Sequence, residues 1–211
     1  MTRRRRSATV AVVTEPSLPG SPLPEPTLPE RPVPGAADSP AAATTRIVVM
    51  GPSGSGKSVV GLALAQRLGL PFVDADDLHP AANVAKMAAG IPLADGDRMP
   101  WLDVVAATLR DAPGGVVMAC SALARRYRDR IRGERAEGGV VFVELRVPQD
   151  ELARRMGSRE HFMPSSLLIS QLQTLEHLEP DEAGVVVAGE PPLADVVDAA
   201  MAALERYQSL R

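Results

Sequence analysis

The sequence predicts an α/β fold: three layers, with a five-stranded parallel sheet covered by helices on both faces and a small lid. Two observations carry this. Apolar runs such as Ile47-Val48-Val49-Met50 and Val116-Val117-Met118-Ala119 alternate with helical stretches. They are continuous rather than alternating, as strands buried on both faces are. A third observation ties the fold to a ligand. Gly51-Pro52-Ser53-Gly54-Ser55-Gly56-Lys57-Ser58 follows the first strand directly and opens a helix. That is the setting of a phosphate-binding P-loop.

The elements follow in order. Residues 46–50 read as the first strand. Residues 58–68 read as a helix, with Val59, Leu62, Ala63, Leu64 and Leu68 as its apolar stripe and Gly69 as its stop. Pro71–Asp74 is a short second strand ending in acids. Pro80–Gly90 has Pro at its start and Gly at its end, as a helix does. Trp101–Arg110 is a helix, Gly115–Cys120 a buried strand and Leu123–Arg132 a strongly basic helix. Strand Val140–Leu145, helices Asp150–Met156 and Leu167–Glu176, strand Val185–Val187 and an amphipathic helix Leu193–Arg206 complete the chain. Ligands of open α/β sheets bind beyond the carboxyl ends of the strands. The P-loop, Asp74-Ala75-Asp76 and Cys120-Ser121 are therefore expected around one crevice.

Composition sets the domain count. Residues 1–45 hold nine of the twenty prolines, the run Arg3–Arg6 and no apolar periodicity. Such a segment cannot bury enough apolar surface to offset its ordering entropy, so a disordered tail is expected there. Residues 46–211 suit one domain with one core. The basic start resembles a signal or transit peptide only faintly, because its apolar run is short and prolines begin at Pro16; a cytoplasmic tail is the favoured reading. No run of about 18 apolar residues is present to span a membrane. A net charge of −3 and 3% aromatic residues argue against a nucleic-acid partner. With Cys120 as the single cysteine, no intrachain disulfide can form.

The P-loop supplies the phosphate half of a site, and the whole sequence then fits a three-layer P-loop NTPase fold. Backbone N–H groups of Gly51 through Gly56 are placed to converge on phosphate oxygens, helped by the helix dipole. Lys57 is expected at the β- and γ-phosphates of ATP, and the Ser58 hydroxyl on Mg²⁺. Asp74, Asp76 and Asp77 form an acidic cluster opposite. Asp74 or Asp76 is expected to accept the proton of an attacking hydroxyl or to stand beside Mg²⁺, and in a strand the two would share a face. His79 is expected to bond a substrate hydroxyl or cap the turn; no second His or Cys stands at zinc-ligand spacing. Arg98 suits a substrate carboxylate, because its fork binds both oxygens. The alternative is an ion pair with Asp95 or Asp97. Of the arginines on 125–135, Arg125 and Arg128 are placed to reach the crevice. Arg154, Arg155 and Arg159 precede His161-Phe162-Met163-Pro164, a lid that would close on the ATP phosphates.

Several segments together resemble the gluconate kinases, small P-loop kinases related to the shikimate kinases. They are the P-loop, Asp74-Ala-Asp-Asp-Leu-His-Pro80, Asn83 with Lys86-Met87, Asp95-Gly-Asp-Arg-Met-Pro-Trp-Leu102, Cys120-Ser-Ala-Leu123, and Ser170-Gln171 with Thr174-Leu-Glu176. The resemblance spans residues 47 to about 190. It implies ATP- and Mg²⁺-dependent phosphorylation of D-gluconate at its 6-hydroxyl, feeding the pentose phosphate pathway, by a cytoplasmic homodimer. It implies Asp76, His79, Arg98, Ser121 and Arg128 as gluconate ligands, Asp74 near Mg²⁺ or as base, and Arg155 and Arg159 in a lid over about 157–180. Three positions depart from the pattern: Ala75 in place of Gly, Ala124 in place of Lys, and Ile169 in place of an acid. Arg125 is the expected substitute for the missing Lys. The alternatives are a kinase of the same fold for another hydroxy acid, and a nucleotide-binding protein without turnover.

Overall fold

A computed structural model describes residues 45–133, 139–157 and 165–210. Five parallel strands form one sheet in the order β2-β3-β1-β4-β5: β1 Thr45–Met50, β2 Phe72–Asp74, β3 Gly115–Cys120, β4 Val140–Arg146 and β5 Gly184–Ala188. β1 pairs β3 on one side, from Thr45 opposite Gly115 to Met50 opposite Cys120. On its other side Met50 lies opposite Glu144 of β4. The expected parallel α/β sheet is present, and β1 at its centre delivers the P-loop.

The helices are α1 Lys57–Leu68, α2 Ala81–Ala88, α3 Asp95–Arg110, α4 Arg125–Arg132, α5 Gln149–Gly157, α6 Ser165–Thr174 and α7 Leu193–Ser209. Side chains alternate across the sheet, so each face builds its own core. Val48, Met50, Met118, Cys120 and Phe142 pack with Trp101, Leu102, Val105 and Leu109 of α3 and Tyr127 and Ile131 of α4. Ile47, Val49, Val117, Val143 and Leu145 pack with Val60 and Leu64 of α1 and Val196, Val197, Ala200 and Leu204 of α7. Each fully buried side chain of this kind contributes about 1.5–3 kcal/mol. Both layers are therefore firmly tied to the sheet.

Two elements differ from the sequence reading. α3 starts at Asp95, six residues before the expected Trp101, and carries Pro100 inside it. Its first turn is held by Asp97. The Asp97 carboxylate accepts the Ala94 N–H at 3.0 Å, and the Asp97 and Arg98 amides both donate to the Ala94 carbonyl. Pro100, the sixth residue of α3, has no N–H to give the Gly96 carbonyl, so one intrahelical bond is missing there. The second difference is a 3-10 turn, Ala75–Leu78, directly after β2, which ends at Asp74 as expected. Asp74 and Asp76 therefore do not share a strand face.

Candidate active site

The P-loop wraps from Gly51 to the first turn of α1. Gly51 has φ 150°, and a Cβ there would stand 2.8 Å from Ser55 Oγ, so only glycine fits. Gly56 has φ 91° and caps α1 in the left-handed conformation. Lys57, 9% exposed, has no hydrogen bond or ion pair among the described residues. The Ser58 hydroxyl donates to Asp74 Oδ2 at 2.6 Å, and Asp74 Oδ1 accepts the Asp76 N–H. Ser58 and Asp74, the expected metal pair, are thus brought together at the foot of the loop. Hard oxygen donors suit Mg²⁺, which takes few protein ligands and keeps waters and substrate phosphates. Among the described residues no cluster of three or more His, Cys, Asp or Glu offers a fuller cage.

Next to the loop lies a cavity of about 220 Å³, lined by Ser53, Lys57, Asp76, His79, Arg98, Trp101 and Ser121, with Leu167, Ser170 and Gln171 of α6 at its edge. Six of the expected site residues therefore meet in one space: Ser53, Lys57, Asp76, His79, Arg98 and Ser121. Several elements place them: Ser53 comes from the P-loop and Lys57 from the start of α1. Asp76 and His79 come from the 3-10 turn and its end, Arg98 from the first turn of α3, and Ser121 from the end of β3. The residue after Ser121, Ala122, has φ 42°. It is the one non-glycine residue among those described with a positive φ, a strained bend directly after a residue that lines the cavity.

Arg98 is half-buried and bonds only the Tyr127 hydroxyl, at 3.2 Å. The alternative ion pairs are excluded by other partners: Asp95 is taken by Arg126 and the Tyr127 hydroxyl, and Asp97 by Lys86 at 2.6 Å. His79 stacks on Trp101 with ring centroids 4.0 Å apart. Burial lowers the His79 pKa below its usual value; Asp76 opposes this and Arg98 adds to it. α6 reaches over the loop, where Gln171 Oε1 accepts the Ser53 N–H at 2.7 Å. The sequence reading put Leu167 and Gln171 within the lid over about 157–180 but named neither as a ligand; which lid side chain reaches the crevice has no local signal.

Arg128 is a correction. It is fully buried and does not line the cavity. Its Nε and NH2 donate to both Glu182 oxygens at 2.7 and 2.6 Å, and its NH1 and NH2 reach the carbonyls of Ala122, Leu123, Glu176 and His177. With its donors spent, it is a strut between the loop after β3 and the chain after α6. Arg125 is a second correction: it pairs with Asp181 at 2.6 Å and is no substitute for the missing Lys. Arg155 stands on the nucleotide side, bound to Glu151, to the Gly54 carbonyl at 3.4 Å and to the Gly189 carbonyl at 3.0 Å. With Arg154 it holds the Glu151 carboxyl down to about 2. Arg159 and His161-Phe162-Met163 lie outside the described residues.

Comparison with known proteins decides the family. A sequence model of shikimate kinases matches residues 53–179. A gluconokinase of Gluconobacter oxydans is 49% identical over 148 residues, covering 68% of this chain and 82% of that protein. The chain belongs to the gluconokinase family. The crystal structure of a gluconokinase from Sinorhizobium meliloti superposes with a TM-score of 0.72 at 49% identity, covering 79% of this chain and 95% of the other. A sugar kinase from Janibacter gives the same TM-score at 44% identity, covering 77% and 95%.

Against the gluconokinase pattern, the three departures have structural answers. Ala75 is fully buried in the core with a negative φ, and its carbonyl accepts the Trp101 indole N–H at 2.9 Å, so its methyl is accommodated. Ala124 is also fully buried, at the start of α4, so its side chain has no access to the cavity. Ile169 is 54% exposed on the outer side of α6.

Proposed function

We propose that this member of the gluconokinase family transfers the γ-phosphoryl group of ATP to the 6-hydroxyl of D-gluconate, giving ADP and 6-phospho-D-gluconate. One observation carries the reading. A single cavity has an uncommitted ammonium, Lys57, at the P-loop end and an uncommitted guanidinium, Arg98, at the other. A half-buried cation without a carboxylate calls for an anionic ligand. Two of them in one cavity call for a phosphate and an acid.

In this reading the P-loop amides and Lys57 hold the β- and γ-phosphates, and Arg98 takes the gluconate carboxylate in a two-point bond. Asp76, His79 and Ser121 orient the hydroxyls. Ser58, with Asp74 behind it, would hold Mg²⁺, which supplies charge neutralisation between the phosphates. A bond forms between the 6-oxygen and the γ-phosphorus, and the bond from that phosphorus to the bridging oxygen of ADP breaks. The hydroxyl proton passes to a carboxylate, Asp76 or Asp74. Arg155 and Arg159 steady the phosphate charge as the lid, about 157–180, closes with α6.

The same reading takes residues 1–45 as a tail outside a kinase domain of residues 46–211. It takes the enzyme as a cytoplasmic homodimer, in keeping with the family resemblance. Among the described residues no helix is long and apolar enough to cross a membrane. A coupled ADP-release assay with gluconate, shikimate, other aldonates and nucleoside monophosphates tests the activity. Gluconate-dependent release above the background ATPase rate is expected. Preference for another acceptor, or no stimulated release, overturns the substrate assignment.

A further inference from the structure

The form of one imidazole in the cavity can be derived from its neighbours. Asn83, on the first turn of α2, is 3% exposed. Its side-chain nitrogen lies 3.0 Å from the Asp97 carbonyl oxygen and 3.3 Å from His79 Nδ1. The Asp97 carbonyl can only accept. The Asn83 amide must therefore turn its NH2 group there. The second hydrogen of that NH2 points to His79 Nδ1, which must then offer a lone pair. A neutral ring with a bare Nδ1 carries its proton on Nε2. A doubly protonated ring would set N–H against N–H.

The surroundings lock the arrangement. Trp101 fixes the ring plane by stacking at 17° and is itself held by its bond to the Ala75 carbonyl. Lys86 holds the Asp97 carboxylate and so steadies the residue whose carbonyl orients Asn83. The charged groups acting on the ring are Asp76 from the 3-10 turn and Arg98 from α3, with opposite effects. Nε2 has no partner among the described residues, and the ring lines the same cavity as Lys57, Asp76 and Arg98.

We propose that Asn83 is a positioning residue that holds His79 in its neutral Nε2–H form, so that His79 donates a hydrogen bond to a lone pair of the acceptor substrate and is not the base. The substrate contact rests on the phosphoryl-transfer reading above; the tautomer does not. Two consequences follow. The hydroxyl proton goes to a carboxylate, and the acceptor must present an oxygen lone pair at this point.

The test is an imidazole ¹⁵N–¹H correlation spectrum of the full chain at pH 7.5. The chain has three histidines, and loss of a signal set in His79→Gln assigns His79. A lone-pair-bearing Nδ1 with a protonated Nε2 is expected; a protonated Nδ1 overturns the proposal without any variant. Asn83→Asp turns the partner into an acceptor and should invert the pattern. It should also raise the gluconate KM about tenfold, the loss of one hydrogen bond, with the ATP KM unchanged. An inverted tautomer with an unchanged gluconate KM removes the substrate contact. If the wild-type tautomer is as expected but no acceptor stimulates ADP release, the functional reading fails and the tautomer stands.

Discussion

Arg98 and Lys57 carry the site because each is a cation with no carboxylate of its own. Replacing Arg98 by Ala should raise the gluconate KM about 10- to 100-fold, the worth of a charge-assisted bond, and leave the ATP KM within about twofold. Steady-state kinetics in both substrates decides it; an equal loss for both would make Arg98 structural. Lys57 is one of two lysines in a chain otherwise rich in arginine. It is 9% exposed and lines the cavity. Lys57→Arg should lower kcat by roughly 10²–10³, as removal of a preorganised donor does, with a smaller change in the gluconate KM. These two residues were legible from the sequence because their neighbours supply a motif. Arg128 was not, because charge alone suggests a crevice. Its spacing holds the missed signal: Ala124, Tyr127, Arg128 and Ile131 recur at the interval of one buried helix face. An arginine on that face needs a buried acid, and Glu182 lay too far along the chain to be linked to it.

At the scale of elements, β-strands and long helices were readable from apolar runs, while α3 and the 3-10 turn were not. Gly96 and Pro100 look like a loop, and only the bonds around Ala94 and Asp97 show that the helix has already begun. That shift matters, since it puts Arg98 on a rigid first turn rather than on a loop. The 3-10 turn leaves Asp74 bonded to Ser58 and puts Asp76 in the cavity, separating two acids that looked equivalent. The Arg128–Glu182 pair joins the loop after β3 to the segment after α6. Burial pushes the Glu182 carboxyl up, but Arg128 and the Glu179 N–H hold it below the usual range. Arg128→Met takes the guanidinium from that buried carboxylate, leaving it the Glu179 N–H, and removes one donor from each of four carbonyls; it should cost about 3–5 kcal/mol in urea unfolding. Arg128→Met with Glu182→Leu should recover most of it. A double variant as unstable as the single one would refute the pairing as the source.

The whole molecule should be sensitive to acid. His79 has its pKa depressed from 6.5, so the stability tied to its neutral form is complete above pH 6.5 and is lost as pH falls below that value. Glu144 is pushed up by burial and brought below 4.5 by the Leu178 N–H, His177 and Arg146; its contribution and that of Glu182 are complete above pH 4.5 and lost below it. Thermal melts should fall gently from pH 6.5 and steeply below pH 4.5. A melting temperature unchanged down to pH 4 would contradict the buried state of His79. One more feature has a use beyond catalysis. Cys120 ends β3, next to the cavity-lining Ser121 and fully buried in the core, with burial pushing its thiol up to about 12. Thiol reagents attack the thiolate, so this side chain is silent while the sheet is closed. As the chain's single cysteine, it is a clock. The rate at which an aromatic disulfide consumes it counts how often the core at the end of β3 comes apart, and saturating ATP with gluconate should slow that count.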